Sequence, residues 1–251
     1  MSKPEVTQDN WQAVYEYYAA HRGSKSALRA LHRGSSFVYH PRVEYADDSS
    51  RKIDALLDAD TRLIVASNHV RELDQFPLAA MMQRGPLHRI IGNTVSLAKQ
   101  PLFKTPLRRP LDAVGAVPVW REPDFKSGIS GREKNDINKA FFKLVVDHME
   151  DGASVFMFPE GTRNSHAQHE IGPIKPGIGR IVLNCVQRDV PVAIVPVALL
   201  WPGNGERHSF RPDITVGAPL DELEGMTVRQ ITSATAEGMA DAVLFRPQKS
   251  V

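Results

Sequence analysis

Apolar positions near the start of the chain recur at helical spacing. Trp11, Val14, Tyr15, Tyr18 and Ala19 share one face, and Leu28 and Leu31 continue the pattern. Gly23-Ser24 predicts a break inside this helical segment, 11–33. Farther along, short apolar runs alternate with longer stretches of helical period. The runs predict strands at 37–45, 63–66, 88–91, 114–119, 154–158, 192–199 and 214–216. Helices are predicted at 51–57, 75–83, 135–150, 177–187 and 227–244, with a helical or irregular basic stretch over 99–111. This alternation predicts an α/β fold with a mostly buried mixed sheet covered by helices. We read 1–251 as a single domain: an N-terminal helical segment (1–35), a core (36–220), and a C-terminal helix and tail (221–251). Residues 121–136, rich in charge and glycine, predict a mobile loop.

Composition narrows the class only modestly. Of 251 residues, 42% are hydrophobic and 24% charged, as in ordinary soluble proteins, and the net charge of +2 gives no reason to expect nucleic acid. A single cysteine, Cys185, excludes an internal disulfide. The N-terminus lacks the apolar core of a signal peptide. The most apolar stretch, 190–201, is too short to span a bilayer and contains Pro191 and Pro196. Two segments nevertheless suit a membrane surface. Residues 84–109 hold Arg84, Arg89, Lys99, Lys104, Arg108 and Arg109, no acidic residue, and interleaved Leu97, Leu102, Phe103 and Leu107. Helix 11–33 carries Arg22, Lys25, Arg29 and Arg33. Each also fits an element packed on the domain with a solvated basic face. The expected location is cytoplasmic, peripheral at the inner face of the cell membrane.

Candidate chemistry sits where strands end. NHVRELD, 68–74, follows the apolar run RLIVAS. His69 and Asp74 are five apart, so a regular helix would turn them away from each other. On a turn, with Asp74 as the N-cap of the next helix, the imidazole can fold back onto the carboxylate. That is a base and its orienting group. The interval alone is a cheap signal, since His208 and Asp213 share it. A second stretch, VFMFPEGTRN at 155–164, runs from a strand into Pro159, which ends the ladder, and Gly161, which admits positive φ. It adds Glu160 and Arg163, and Arg121 follows the strand ending near Trp120. Ligands of open α/β sheets bind at the carboxyl ends of strands, so these groups read as an anion site beside a general base.

Four blocks in this order resemble the glycerophospholipid acyltransferase superfamily, particularly the bacterial 1-acylglycerol-3-phosphate acyltransferases. They are NHVRELD, GAVPVWRE, FPEGTRN and VPVAIVPVAL, with weaker matches at AKQPLFKTP and GPIKPGIGRI. Arg71, Glu72, Trp120, Asn164 and Ile174 depart from the family's pattern. These differences bear on the acceptor more than on the chemistry.

The resemblance implies an O-acyltransferase. His69 would be general base on a glycerol hydroxyl, oriented by Asp74. Arg121 and Arg163 would bind the acceptor phosphate with help from Lys99. Glu160 would hold Arg163 or the loop, Gly161 N–H would face the oxyanion, and Thr162 belongs to the same substrate-binding block. The donor would be acyl-CoA or acyl carrier protein, and the acceptor 1-acylglycerol-3-phosphate at an anionic membrane surface. Without a G-x-S-x-G elbow, transfer is expected to be direct, with no acyl-enzyme, no cofactor and no metal. Glycerol 3-phosphate or another lyso-lipid as acceptor, a thioesterase or esterase, and a non-catalytic lipid-binding module stay open, as does the oligomeric state.

Overall fold

A computed structural model describes residues 3–164, 169–202 and 210–245. In chain order its main elements are α1 (Trp11–Ala20), α2 (Lys25–Val38), β1 (Arg42–Tyr45), α3 (Ser49–Asp58), β2 (Arg62–Ser67), α4 (Gln75–Met81), β3 (Thr94–Lys99), α5 (Arg108–Ala113) and β4 (Val117–Val119). They continue with α6 (Gly131–Glu150), β5 (Ser154–Met157), α7 (Gly177–Val186), β6 (Val192–Leu200), β7 (Asp213–Val216) and α8 (Val228–Leu244). The strands form one mixed sheet in the order β1-β7-β6-β2-β5-β3-β4. Every pairing is parallel except β6 with β7. Helices cover both faces, the architecture expected from the alternating pattern.

The central strands read as continuous apolar runs because both of their faces are buried. Along β2, Ile64 and Ala66 pack toward α6, α7 and α8, while Leu63 and Val65 pack toward α4. Pro196 lies within β6, opposite Ala66 of β2, an unusual place for a residue without an N–H. There β6 hydrogen-bonds the next segment through the Gly217 N–H to the Pro196 carbonyl at 2.8 Å.

The N-terminal helices are part of this core. Tyr15 and Tyr18 of α1 are buried against α6, and the Tyr18 hydroxyl donates to Asp112 at 2.6 Å. Leu28, His32 and Ser35 of α2 are buried, and α2 packs on α4, with His32 Nδ1 2.9 Å from the Ala79 carbonyl oxygen. The predicted break falls at Gly23, whose φ is +64°. A Cβ there would lie 2.4 Å from the Gly115 nitrogen, so the two glycines let the α1–α2 corner sit directly on the turn before β4.

Three local expectations need correction. Residues 88–91 are not a strand but the end of a 3-10 helix, Gly85–Ile90. The strand is β3, which is half-exposed along most of its length and so never formed a continuous apolar run. Residues 37–45 are extended only from Arg42, because α2 runs on to Val38. The expected loop at 121–136 is largely structured: a 3-10 turn spans Glu122–Asp124, and α6 starts at Gly131. Ser130 caps that helix by accepting from the Glu133 N–H at 3.1 Å. Among the described residues no helix is long and apolar enough to cross a membrane.

Candidate active site

β2 and β5 are neighbours in the sheet and run parallel, so the turns after them emerge side by side. After β2, Asn68 is buried and pins the strand end to β6. Its side-chain amide donates to the Leu199 carbonyl at 3.0 Å, and its oxygen accepts the Leu199 N–H at 2.7 Å. His69 follows, and its Nδ1 lies 3.0 Å from Asp74 Oδ2. A carboxylate can only accept, so this contact assigns the ring proton to Nδ1 and leaves a lone pair on Nε2.

Asp74 is fully buried and lies at the start of α4, but it does not cap that helix. Its carboxylate turns back into its own loop instead. Oδ2 also accepts the N–H groups of Val70 and Arg71, at 2.6 and 2.7 Å, and Oδ1 accepts Trp201 Nε1–H at 2.9 Å. Four donors fix the carboxylate that fixes the ring. The His69 ring also stacks on Phe158, with centroids 4.1 Å apart and planes 17° apart.

The turn after β5 is fastened to this loop. The Asn164 N–H donates to the His69 carbonyl at 2.7 Å. Gly161 has φ +69°, and its N–H donates to the Phe158 carbonyl at 3.1 Å. That N–H serves the turn. Glu160 is not the partner of Arg163 either. It is 1% exposed, and its carboxylate oxygens have no hydrogen-bond partner among the described residues. Burial pushes its pKa up to about 7. The His69 and Gly172 backbones approach and temper that shift, without hydrogen bonds of normal geometry.

Arg163 instead meets Glu72, Nη1 to Oε1 at 2.7 Å. Arg121 reaches the same turn by donating from Nη1 to the Gly161 carbonyl at 3.0 Å. Asp124 grips its other edge, with Nε–Oδ2 at 2.8 Å and Nη2–Oδ1 at 2.9 Å. Burial alone would raise the Asp124 pKa, but the hydrogen bonds from Arg121 outweigh it and hold the carboxyl below its ordinary value. Lys99, at the end of β3, completes the group. Burial, then the charges of Arg121 and Arg163, lower its pKa. Thr162 lies between Gly161 and Arg163 in this turn. A dyad with a basic nitrogen thus adjoins three cations at neighbouring strand ends. Of the other pair, His208 lies outside the described residues, and Asp213 begins β7 with its carboxylate 3.8 Å from Arg42.

A family model described as Acyltransferase matches residues 42–200. The chain belongs to the Acyltransferase family. Over 165 residues it is 28% identical to the 1-acyl-sn-glycerol-3-phosphate acyltransferase BAT2, chloroplastic, of Brassica napus, covering 65% of this chain. The match spans 42% of that relative's length. The fold is similar to the crystal structure of the 1-acyl-sn-glycerophosphate (LPA) acyltransferase PlsC from Thermotoga maritima, with a TM-score of 0.53 and 14% identity. That superposition covers 96% of this chain and 84% of the other and is a likeness of fold.

The acyltransferase match begins at β1 and ends with β6, so it contains His69, Asp74, Lys99, Arg121 and the 160–163 turn, but not the His208/Asp213 pair. It stops one residue short of Trp201, the partner of Asp74 that the sequence did not reveal. Trp201 follows β6, 127 positions from Asp74, and no spacing rule connects them. The Arg71 guanidinium lies 4.3 Å from the Trp201 ring centroid, stacking over it. Phe158 was equally hidden. Asp124 had a visible signal, an acidic residue three positions after Arg121.

Proposed function

We propose that this acyltransferase moves a fatty acyl group from an acyl thioester of coenzyme A or acyl carrier protein to the free hydroxyl of 1-acylglycerol-3-phosphate, giving phosphatidic acid. The observation that carries the reading is the Asn164–His69 tie, which holds the dyad loop against the turn bearing Arg163. His69 Nε2 takes the hydroxyl proton as the oxygen attacks the thioester carbonyl. Asp74 holds the ring and stabilises the imidazolium. The tetrahedral intermediate collapses, the C–S bond breaks, and the imidazolium returns its proton to the leaving thiolate. Transfer is direct. Cys185 is buried in α7, and burial pushes its thiol up to about 12, which leaves no nucleophilic thiolate. Arg163 and Lys99 receive the acceptor phosphate, while Arg121, gripped by Asp124, shapes the cradle. The names of the Brassica napus relative and the Thermotoga maritima structure support this choice of acceptor.

A lipid acceptor requires contact with a bilayer. Phe37, Val38, Leu73 and Phe210 are large apolar side chains at least half exposed. Phe37 and Val38 immediately precede Tyr39, whose ring meets Phe76, Trp201 and Phe210. Trp201 in turn bonds Asp74, so the apolar patch leads to the dyad. This supports peripheral contact with a membrane surface.

His69→Gln is expected to cut phosphatidic acid formation and thiol release at least about 100-fold, with the melting temperature preserved. Transfer at near wild-type rates by a folded His69→Gln protein would end the proposal.

A further inference from the structure

The loop that carries the dyad also carries Glu72, whose carboxylate rests on Arg163. The cation cluster thus has two counterions of different character. Asp124 is 9% exposed at its side chain and grips Arg121 through two hydrogen bonds. Glu72 is 76% exposed and touches Arg163, itself 41% exposed, through a single contact. Exposed single-contact pairs are weak, and bidentate guanidinium–phosphate contacts are stronger. Asp124 is therefore fixed, and Glu72 is removable. Lys99 feels the charge of Glu72 as well as those of Arg121, Arg163 and Asp124, so all five groups share one electrostatic neighbourhood.

With both carboxylates in place, the three cations keep one net positive charge. A dianionic phosphomonoester that displaces Glu72 leaves the cluster neutral. A monoanionic phosphodiester that displaces it leaves the one positive charge in place, and either headgroup must displace the same Glu72 carboxylate. We propose that Glu72 is a displaceable counterion of the acceptor site, resting on Arg163 until an anionic phosphate headgroup takes its place. This rests on the reading of Arg163 as the phosphate-binding residue. The competing role, a brace that aims Arg163, predicts effects of opposite sign.

The test is steady-state kinetics of the full chain, wild type and Glu72→Gln, in neutral detergent micelles that remove bilayer charge. The acceptors are 1-acylglycerol-3-phosphate, lysophosphatidylglycerol as the monoanion, and monoacylglycerol as the neutral control. Glu72→Gln is expected to lower KM for both charged acceptors by the same factor, about 3-fold, with kcat within about 2-fold. KM for monoacylglycerol stays unchanged, and in an Arg163→Gln background the gain disappears. A KM that rises or stays constant for the charged acceptors, or a gain that survives in Arg163→Gln, overturns the proposal. Arg163→Gln alone separates the two readings. If it leaves KM for the dianionic acceptor unmoved, the phosphate assignment fails. If it raises KM for that acceptor while Glu72→Gln changes nothing, only the counterion role fails.

Discussion

Glu160 is the residue with the clearest pH signature. Its pKa is raised from 4.5 to about 7 by burial, so the folded chain binds a proton more tightly than the unfolded one. Stability therefore falls as pH rises from about 4.5 to 7 and stays reduced above that range. Glu160→Gln removes the titration. It is expected to be more stable than wild type by about 2 kcal/mol at pH 8, with the difference gone near pH 4.5. Paired thermal melts across that range check this, and a constant offset at every pH would refute it. The members of the site were visible as residue types at strand ends, but several pairings were not. Proximity in sequence suggested Glu160 for Arg163, whereas burial drew Glu160 inward and left the guanidinium to Glu72, 91 positions away. Likewise Asp74 looked like a helix cap until Trp201 and two loop N–H groups competed for its oxygens.

At the level of elements, legibility followed burial. β2 and β6, covered on both faces, announced themselves as apolar runs. β3, half-exposed, did not, although it delivers Lys99. α2 shows how one helix can serve two surroundings. Its buried side packs on α4 through Leu28 and His32, while Lys25, Arg29, Arg33 and Phe37 form an exposed row at four-residue intervals. None of its three cations has an ion-pair partner among the described residues. The row ends at the apolar patch beside the dyad. Replacing Lys25, Arg29 and Arg33 together with serine is expected to weaken partitioning onto phosphatidylserine-containing vesicles about 100-fold, from about 1 kcal/mol per charge near the surface. Binding to neutral vesicles should change little. Flotation assays measure both, and an unchanged anionic partition would remove α2 from the contact.

Across the whole molecule, strand order does the assembling. β2 and β5 pair at the centre, and β3 with β4 continue beyond β5. The dyad, Arg163, Lys99 and Arg121 therefore come from four consecutive strands of the sheet. The pattern of runs foretold an α/β sheet but not this order, because long-range pairing leaves no local trace. The corner formed by α1 and α2 depends on Gly23 lying against Gly115. Gly23→Ala should destabilise the fold by about 2 kcal/mol or more, since it adds both a disfavoured φ and a backbone clash. Chemical denaturation measures the loss, and wild-type stability would mean that the corner relaxes freely.

The bond from Asn164 to His69 joins main chain to main chain. It is therefore blind to the identity of either side chain. The residue at 164 can be replaced without loosening the alignment of the two loops. Only proline, lacking the hydrogen, would sever it.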